Sequence, residues 1–218
     1  VPDVRGTPAN ASAGPRGSRE VLIALERSGL LLKQDKRLAS VVTLLAGEPL
    51  SCSWWSHPDS RRMFRVLSAL AEHPDVILTK LLLAKDTFVH RRLWPAFLAV
   101  VGAREPWQVA GLSAQARALL ARVERSATPL RSAGTATKEL VARLLAHATE
   151  VHTDEGRHEI ALQSWSSWRA QAGVVPLDSV DDARWLLEDA TRQLGAPSEA
   201  LPWLTRKRSG AAAHRGNS

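Results

Sequence analysis

Lys80 stands inside the apolar run Val76-Ile77-Leu78-Thr79-Lys80-Leu81-Leu82-Leu83, and strand alternation puts it on the same face as Val76, Leu78 and Leu82. A lysine drawn out of water loses its proton more readily, and a neutral amine attacks the aldehyde form of an abasic sugar to give a Schiff base. Lyase chemistry of that kind also needs a group that moves the sugar protons. His90 on the following run, with Asp86 or Asp75 at the ends of the two runs, are the nearest candidates in sequence. The plainer reading is that Lys80 snorkels to solvent or to a phosphate.

Chemistry on a base also requires a side chain that fills the stack or holds the extruded base, and aromatic rings do both. Trp54-Trp55 lies on a connector, Glu48 to Ser56, that cannot be helical throughout. Adjacent side chains there point in different directions, so one ring can pack while the other stays free; the alternative is that both pack between lobes. Trp94, Trp107, Trp165, Trp168, Trp185 and Trp203 sit in apolar patterns or beside proline and read as core or interface.

His147, His152, Asp154, Glu155 and His158 invite a metal reading, but His147 and His152 are five apart, which on one helix places them on opposite faces. A bend at Gly156 would bring His152 and His158 together; the expectation is a polar helix-to-helix corner with no metal. Cys52 is the lone cysteine, which excludes an internal disulfide and a Cys-cluster zinc site. No glycine-rich phosphate loop, dinucleotide fingerprint or nucleophile elbow occurs, so no nucleotide or other cofactor is expected.

The elements that must carry these groups follow from periodicity. A helix is predicted from Ser18 to about Gly29, a second over Arg37 to Ala46 and a third over Pro58 to Ala71. In the third, Met63, Phe64, Val66, Leu67, Leu70 and Ala71 fill one arc and Arg61, Arg62, Arg65 and Ser68 the opposite one. Two strands follow, Val76 to Leu83 and Thr87 to Trp94, joined by Ala84-Lys85-Asp86. Helix, helix, helix, hairpin over Glu20 to Trp94 resembles the winged helix-turn-helix superfamily. That resemblance implies a third helix in the major groove, contributing Arg61, Arg62 and Arg65, and a wing carrying Lys85 at its tip. Arg91 and Arg92 complete the candidate DNA-binding set.

Beyond Trp94 the chain reads as helical. Helices are expected from Leu112-Ser113 to Ser126, Thr137 to Val151, Arg157 to Ala172 and Ser179 to Leu194, with a linker at Thr128 to Thr135 and no visible repeat. The expected fold is mainly α with a small β-hairpin. It comprises a disordered tail at 1–19, a winged-helix-like lobe at 20–127, a helical lobe at 136–204 and a basic disordered tail at 205–218. Charge agrees with this division. Glu20 to Trp94 holds eleven basic and eight acidic residues, Pro95 to Leu204 eleven and thirteen, and most of the formal +7 lies in the tails.

Charges interrupt every apolar run well short of a membrane span, and the first nineteen residues lack the apolar centre of a secretory signal, so a cytoplasmic protein is expected. Two readings of function compete. One is a DNA glycosylase or abasic-site lyase acting on damaged duplex DNA, with Lys80, His90 and Asp86 catalytic and Trp54 or Trp55 in the stack. The other is a non-catalytic winged-helix regulator. A protein-interaction module with all its charge in the tails is a third.

Overall fold

The computed structural model describes residues 17–152 and 158–204. Residues 1–16 of the predicted N-terminal tail, the predicted tail at 205–218, and Asp154, Glu155 and Gly156 lie outside the described residues. The fold is mainly helical with two small antiparallel sheets, each of three strands.

The first half runs α1 (Ser18–Ser28), β1 (Leu30–Leu32), α2 (Val41–Ala46), α3 (Ser60–Ala71), β2 (Val76–Thr79) and β3 (Thr87–His90). At the start of α1, the Glu20 carboxylate accepts the Gly17 N–H at 2.9 Å. At its end, Gly29 turns the chain with φ 78°, and a Cβ there would lie 2.6 Å from a Leu93 methyl, so glycine is required twice over. Ser40 caps α2 by accepting the Thr43 N–H. The strand order is β1-β3-β2, with Leu31 opposite Phe88 and Ile77 opposite Val89.

This sheet is covered on both faces. Leu31, Val76 and Phe88 pack on α1, α2 and α3, while Leu30, Leu32, Ile77 and Val89 face a second core. That core is built by α4 (Trp94–Gly102), α9 (Val180–Gln193) and Leu144, Trp165 and Leu201. It joins residues from Leu30 to Leu201, so the two predicted lobes share one interior. Six consecutive residues of α4, Ala96 to Val101, are buried, which leaves that helix apolar all round.

The remaining elements are α5 (Pro106–Val109), α6 (Ala114–Arg125), β4 (Leu130–Ser132), α7 (Thr135–Ala142), β5 (His147–His152), β6 (His158–Gln163) and α8 (Trp165–Ala172). The second sheet has the order β4-β6-β5, the same arrangement as the first, and rests on α6 and α7 through Leu119, Val123, Leu140 and Leu162.

Four expectations are corrected. The helix predicted to Val151 ends at Ala142, where Arg143 caps it and Leu144 turns the chain with φ 53°; β5 then begins at His147. The helix predicted from Arg157 begins only at Trp165, capped by Ser164, after strand β6. The linker at Thr128 to Thr135 contains β4. The hairpin of the first half is shorter than predicted, because two residues in the left-handed region, Leu83 and Ala84, redirect the chain after Thr79. The Thr87 hydroxyl holds that turn by accepting the Leu82 N–H and donating to the Lys85 carbonyl.

Candidate nucleic-acid interface

On α3, Met63, Val66, Leu67 and Leu70 form the buried stripe. Phe64 lies roughly a third of a turn from the centre of that stripe at ~100° per residue, and it is 42% exposed rather than part of the core. It shares the outer arc with Arg61, Arg65 and Ser68. Arg61 and Arg65 are exposed and form no ion pair among the described residues, whereas Arg62 is half-buried and leans toward Asp59 at 3.9 Å. Two of the three predicted arginines therefore stand open to solvent.

The tryptophan pair sits just before α3, in a 3-10 turn at Trp54–Ser56. As expected, one ring packs and one is free: Trp54 is buried and Trp55 is 61% exposed. They do not diverge, however. The rings stack face to face with centroids 3.9 Å apart, and Trp55 also meets Phe64 at 5.7 Å. The 3-10 turn brings the consecutive rings to one side, so Trp54 anchors Trp55 from below. Trp55, Phe64, Ser60, Arg61 and Arg65 together line a shallow depression of about 500 Å³.

The hairpin residues are arranged differently. Lys80 lies past the end of β2 with its side chain 39% exposed, and its Nζ is 2.6 Å from the Asp86 carboxylate, which Lys33 approaches at 3.9 Å. The expected desolvated lysine is instead a half-exposed partner in an ion pair, because the turn after Thr79 ends the alternation. Lys85 is no free wing tip: its Nζ donates to Asp35 at 2.7 Å. Asp35 is buried, and burial pushes its carboxyl up. Donation from Lys85 and from the Arg37 and Leu38 N–H groups outweighs that and holds it below the ordinary range.

His90 pairs with Val76 at the far end of the hairpin, while Thr79 pairs with Thr87 next to Lys80 and Asp86. At ~3.3 Å per residue this leaves His90 roughly 10 Å or more from Asp86 along β3. The fold brings Lys80 and Asp86 together and leaves His90 apart. His90 is buried, and burial lowers its pKa against the opposing pull of Glu26 and Asp75. Arg91 reaches Asp75 at 2.8 Å, and Arg92 donates to the Arg27 carbonyl at 3.1 Å.

Comparison with protein-family models, curated proteins and solved structures finds no match.

Of the histidine group, His147 packs against Trp165 and Trp168, and loss of water lowers its pKa to about 4. His152 and His158 are direct partners across β5 and β6. Among the described residues, no cluster of His, Cys, Asp and Glu is arranged to hold a metal ion. No helix there is long and apolar enough to cross a membrane. Trp94 and Trp165 are buried as expected, and Trp107, Trp168 and Trp203 pack against the same core; Trp185 is 60% exposed and departs from that expectation.

Sequence reasoning missed Phe64 as a surface residue. The signal was available: it borders Arg61 and Arg65 on the helical wheel and follows an exposed tryptophan by nine residues.

Proposed function

We propose that this chain binds duplex DNA through the outer face of α3, in the manner of a winged helix-turn-helix protein, and that Arg61 and Arg65 contact the phosphates. The observation that carries this reading is that two exposed arginines, without carboxylate partners among the described residues, share one face with an exposed, stacked tryptophan. Guanidinium groups supply the salt-dependent attraction, and aromatic rings are sequence-tolerant contacts for bases. The element order α1-β1-α2-α3-β2-β3 supports the likeness to that superfamily. The hairpin contributes little to binding, since both faces of its sheet are covered and Lys33, Lys80 and Lys85 have partners within the fold.

The test is fluorescence anisotropy with a labelled 20-base-pair duplex. Arg61→Ala combined with Arg65→Ala is expected to weaken binding on the order of a hundredfold, about tenfold per charge-assisted contact removed. Unchanged affinity in a folded double variant would remove α3 from the interface.

One observation favours a second reading, abasic-site lyase activity on damaged DNA. Lys80 opens on a cleft of about 430 Å³ beside Trp107 and Arg143, and attack requires that its ammonium first lose a proton to hydroxide or a basic buffer. The freed amine would attack C1′ of the ring-opened sugar, and loss of water would leave an iminium bond to Lys80. Borohydride reduction of a mixture with abasic duplex then leaves a covalent adduct that Lys80→Ala abolishes. Absence of an adduct from the wild-type protein removes this reading and leaves the first intact.

A further inference from the structure

The depression on α3 does not end at Phe64. Trp55 and Phe64 also form the mouth of a deeper groove of about 660 Å³, which runs between α3 and β2 on one side and β5 on the other. That volume falls within the ~300–1,000 Å³ typical of sites for small organic groups. Its walls include Trp54, Trp94, His147 and Trp168.

We propose that this groove receives unpaired bases of a nucleic acid whose backbone lies along α3, so that the protein prefers DNA with a gap or single-stranded stretch over intact duplex. The proposal rests on the α3 reading and names its substrate class. Three features of the site point to bases. Trp55 offers a broad exposed face and is backed by Trp54 at 3.9 Å, a rigid platform on which any base can stack. Charge is divided in a way that suits a nucleotide: Arg61 and Arg65 line the α3 depression and not the groove, whose one lysine, Lys33, approaches Asp86 at 3.9 Å, while most of the remaining lining is aromatic or apolar. His147 is neutral at physiological pH, held so by its tryptophan surroundings, and adds no charge to the interior.

The rival occupant is an extended peptide, because β2 and β5 are both edge strands. Nothing in that alternative calls for arginines at the rim or for an exposed stacked tryptophan at the mouth.

The experiment compares full-length protein on two labelled DNAs of the same sequence, an intact 20-base-pair duplex and one with a four-nucleotide gap. Wild type is expected to bind the gapped DNA at least tenfold more tightly. Trp55→Ala is expected to bring the ratio of the two affinities to within about threefold of one, and Trp55→Phe, which keeps a ring, is expected to retain most of the preference. Arg61→Ala with Arg65→Ala weakens both DNAs in proportion. Equal binding of the two DNAs by wild type overturns the groove proposal and leaves the α3 reading standing. So does a preference that Trp55→Ala preserves. Equal binding accompanied by tryptophan fluorescence that responds to an apolar extended pentapeptide reassigns the groove to a protein strand. Failure to bind either DNA overturns both readings.

Discussion

The α3 face and the hairpin turn carry similar numbers of cations, yet the fold treats them oppositely. Around the turn, Lys33, Lys80 and Lys85 each face a carboxylate, and Asp35 additionally accepts two backbone N–H groups in a buried position. On α3, Arg61 and Arg65 have no acidic partner among the described residues and stand beside two exposed aromatic rings. Local sequence makes the two regions look alike; what separates them is whether the chain folds a carboxylate back onto the cation. Asp35 lies fifty residues before Lys85, so only tertiary structure reveals the pairing. On the reading proposed above, basic residues paired within the fold contribute to stability and those left open contribute to binding. Substitutions in the first class should move stability without moving DNA affinity.

The largest effect on stability is expected at His147, a groove residue outside both classes, which packs against Trp165 and Trp168. Its folded-state pKa of about 4 lies below the ordinary ~6.5 of an unfolded chain, so above pH 6.5 both states are neutral and nothing changes. As pH falls from 6.5 toward 4 the unfolded chain takes up a proton that the folded one resists, and stability declines by up to ~1.4 kcal/mol per pH unit. His147→Gln should flatten that decline in urea unfolding curves; a decline of the same slope would place the cause elsewhere.

Asp35 should come next. Asp35→Ala is expected to lower unfolding free energy by about 2 kcal/mol through the loss of partners for Lys85 and two N–H groups. Because its folded pKa is depressed, the carboxylate stabilises the protein above ~3.9 and the contribution is lost as pH falls through the lower folded value. Asp35→Asn should therefore differ from wild type at neutral pH and converge with it in acid. The smallest effect is expected for Lys85→Ala, which should leave duplex affinity within about twofold because the side chain is already held by Asp35. A tenfold loss there would erase the distinction between the two regions.

The sequence made the first half more legible than the second. Helices α1, α2 and α3 are short amphipathic segments with glycine, serine or proline at their ends, and each was expected within a few residues of where it lies or inside a longer prediction. Strand β1 was missed because Leu30-Leu31-Leu32 is buried on both faces and shows no alternation. In the second half, Leu140, Val141, Leu144 and Leu145 continue a helical pattern past the true end of α7. The left-handed turn at Leu144, a non-glycine residue, gives no warning in the sequence. The β-branched residues Thr149 and Val151 were the available sign of β5. In the candidate site, Arg61, Arg65 and Trp55 were legible from spacing. The groove was not, because its far wall is formed by β5, about eighty residues further along the chain.

The central claim is that the free arginines of α3 are the phosphate contacts. The most direct measurement is the salt dependence of duplex affinity, taken for wild type and for the Arg61→Ala, Arg65→Ala double variant across the same range of ionic strength. Each phosphate contact contributes roughly 0.9 to the slope of log affinity against log salt, so the double variant is expected to show a slope shallower by about two. A folded double variant with the wild-type slope and affinity would contradict the account.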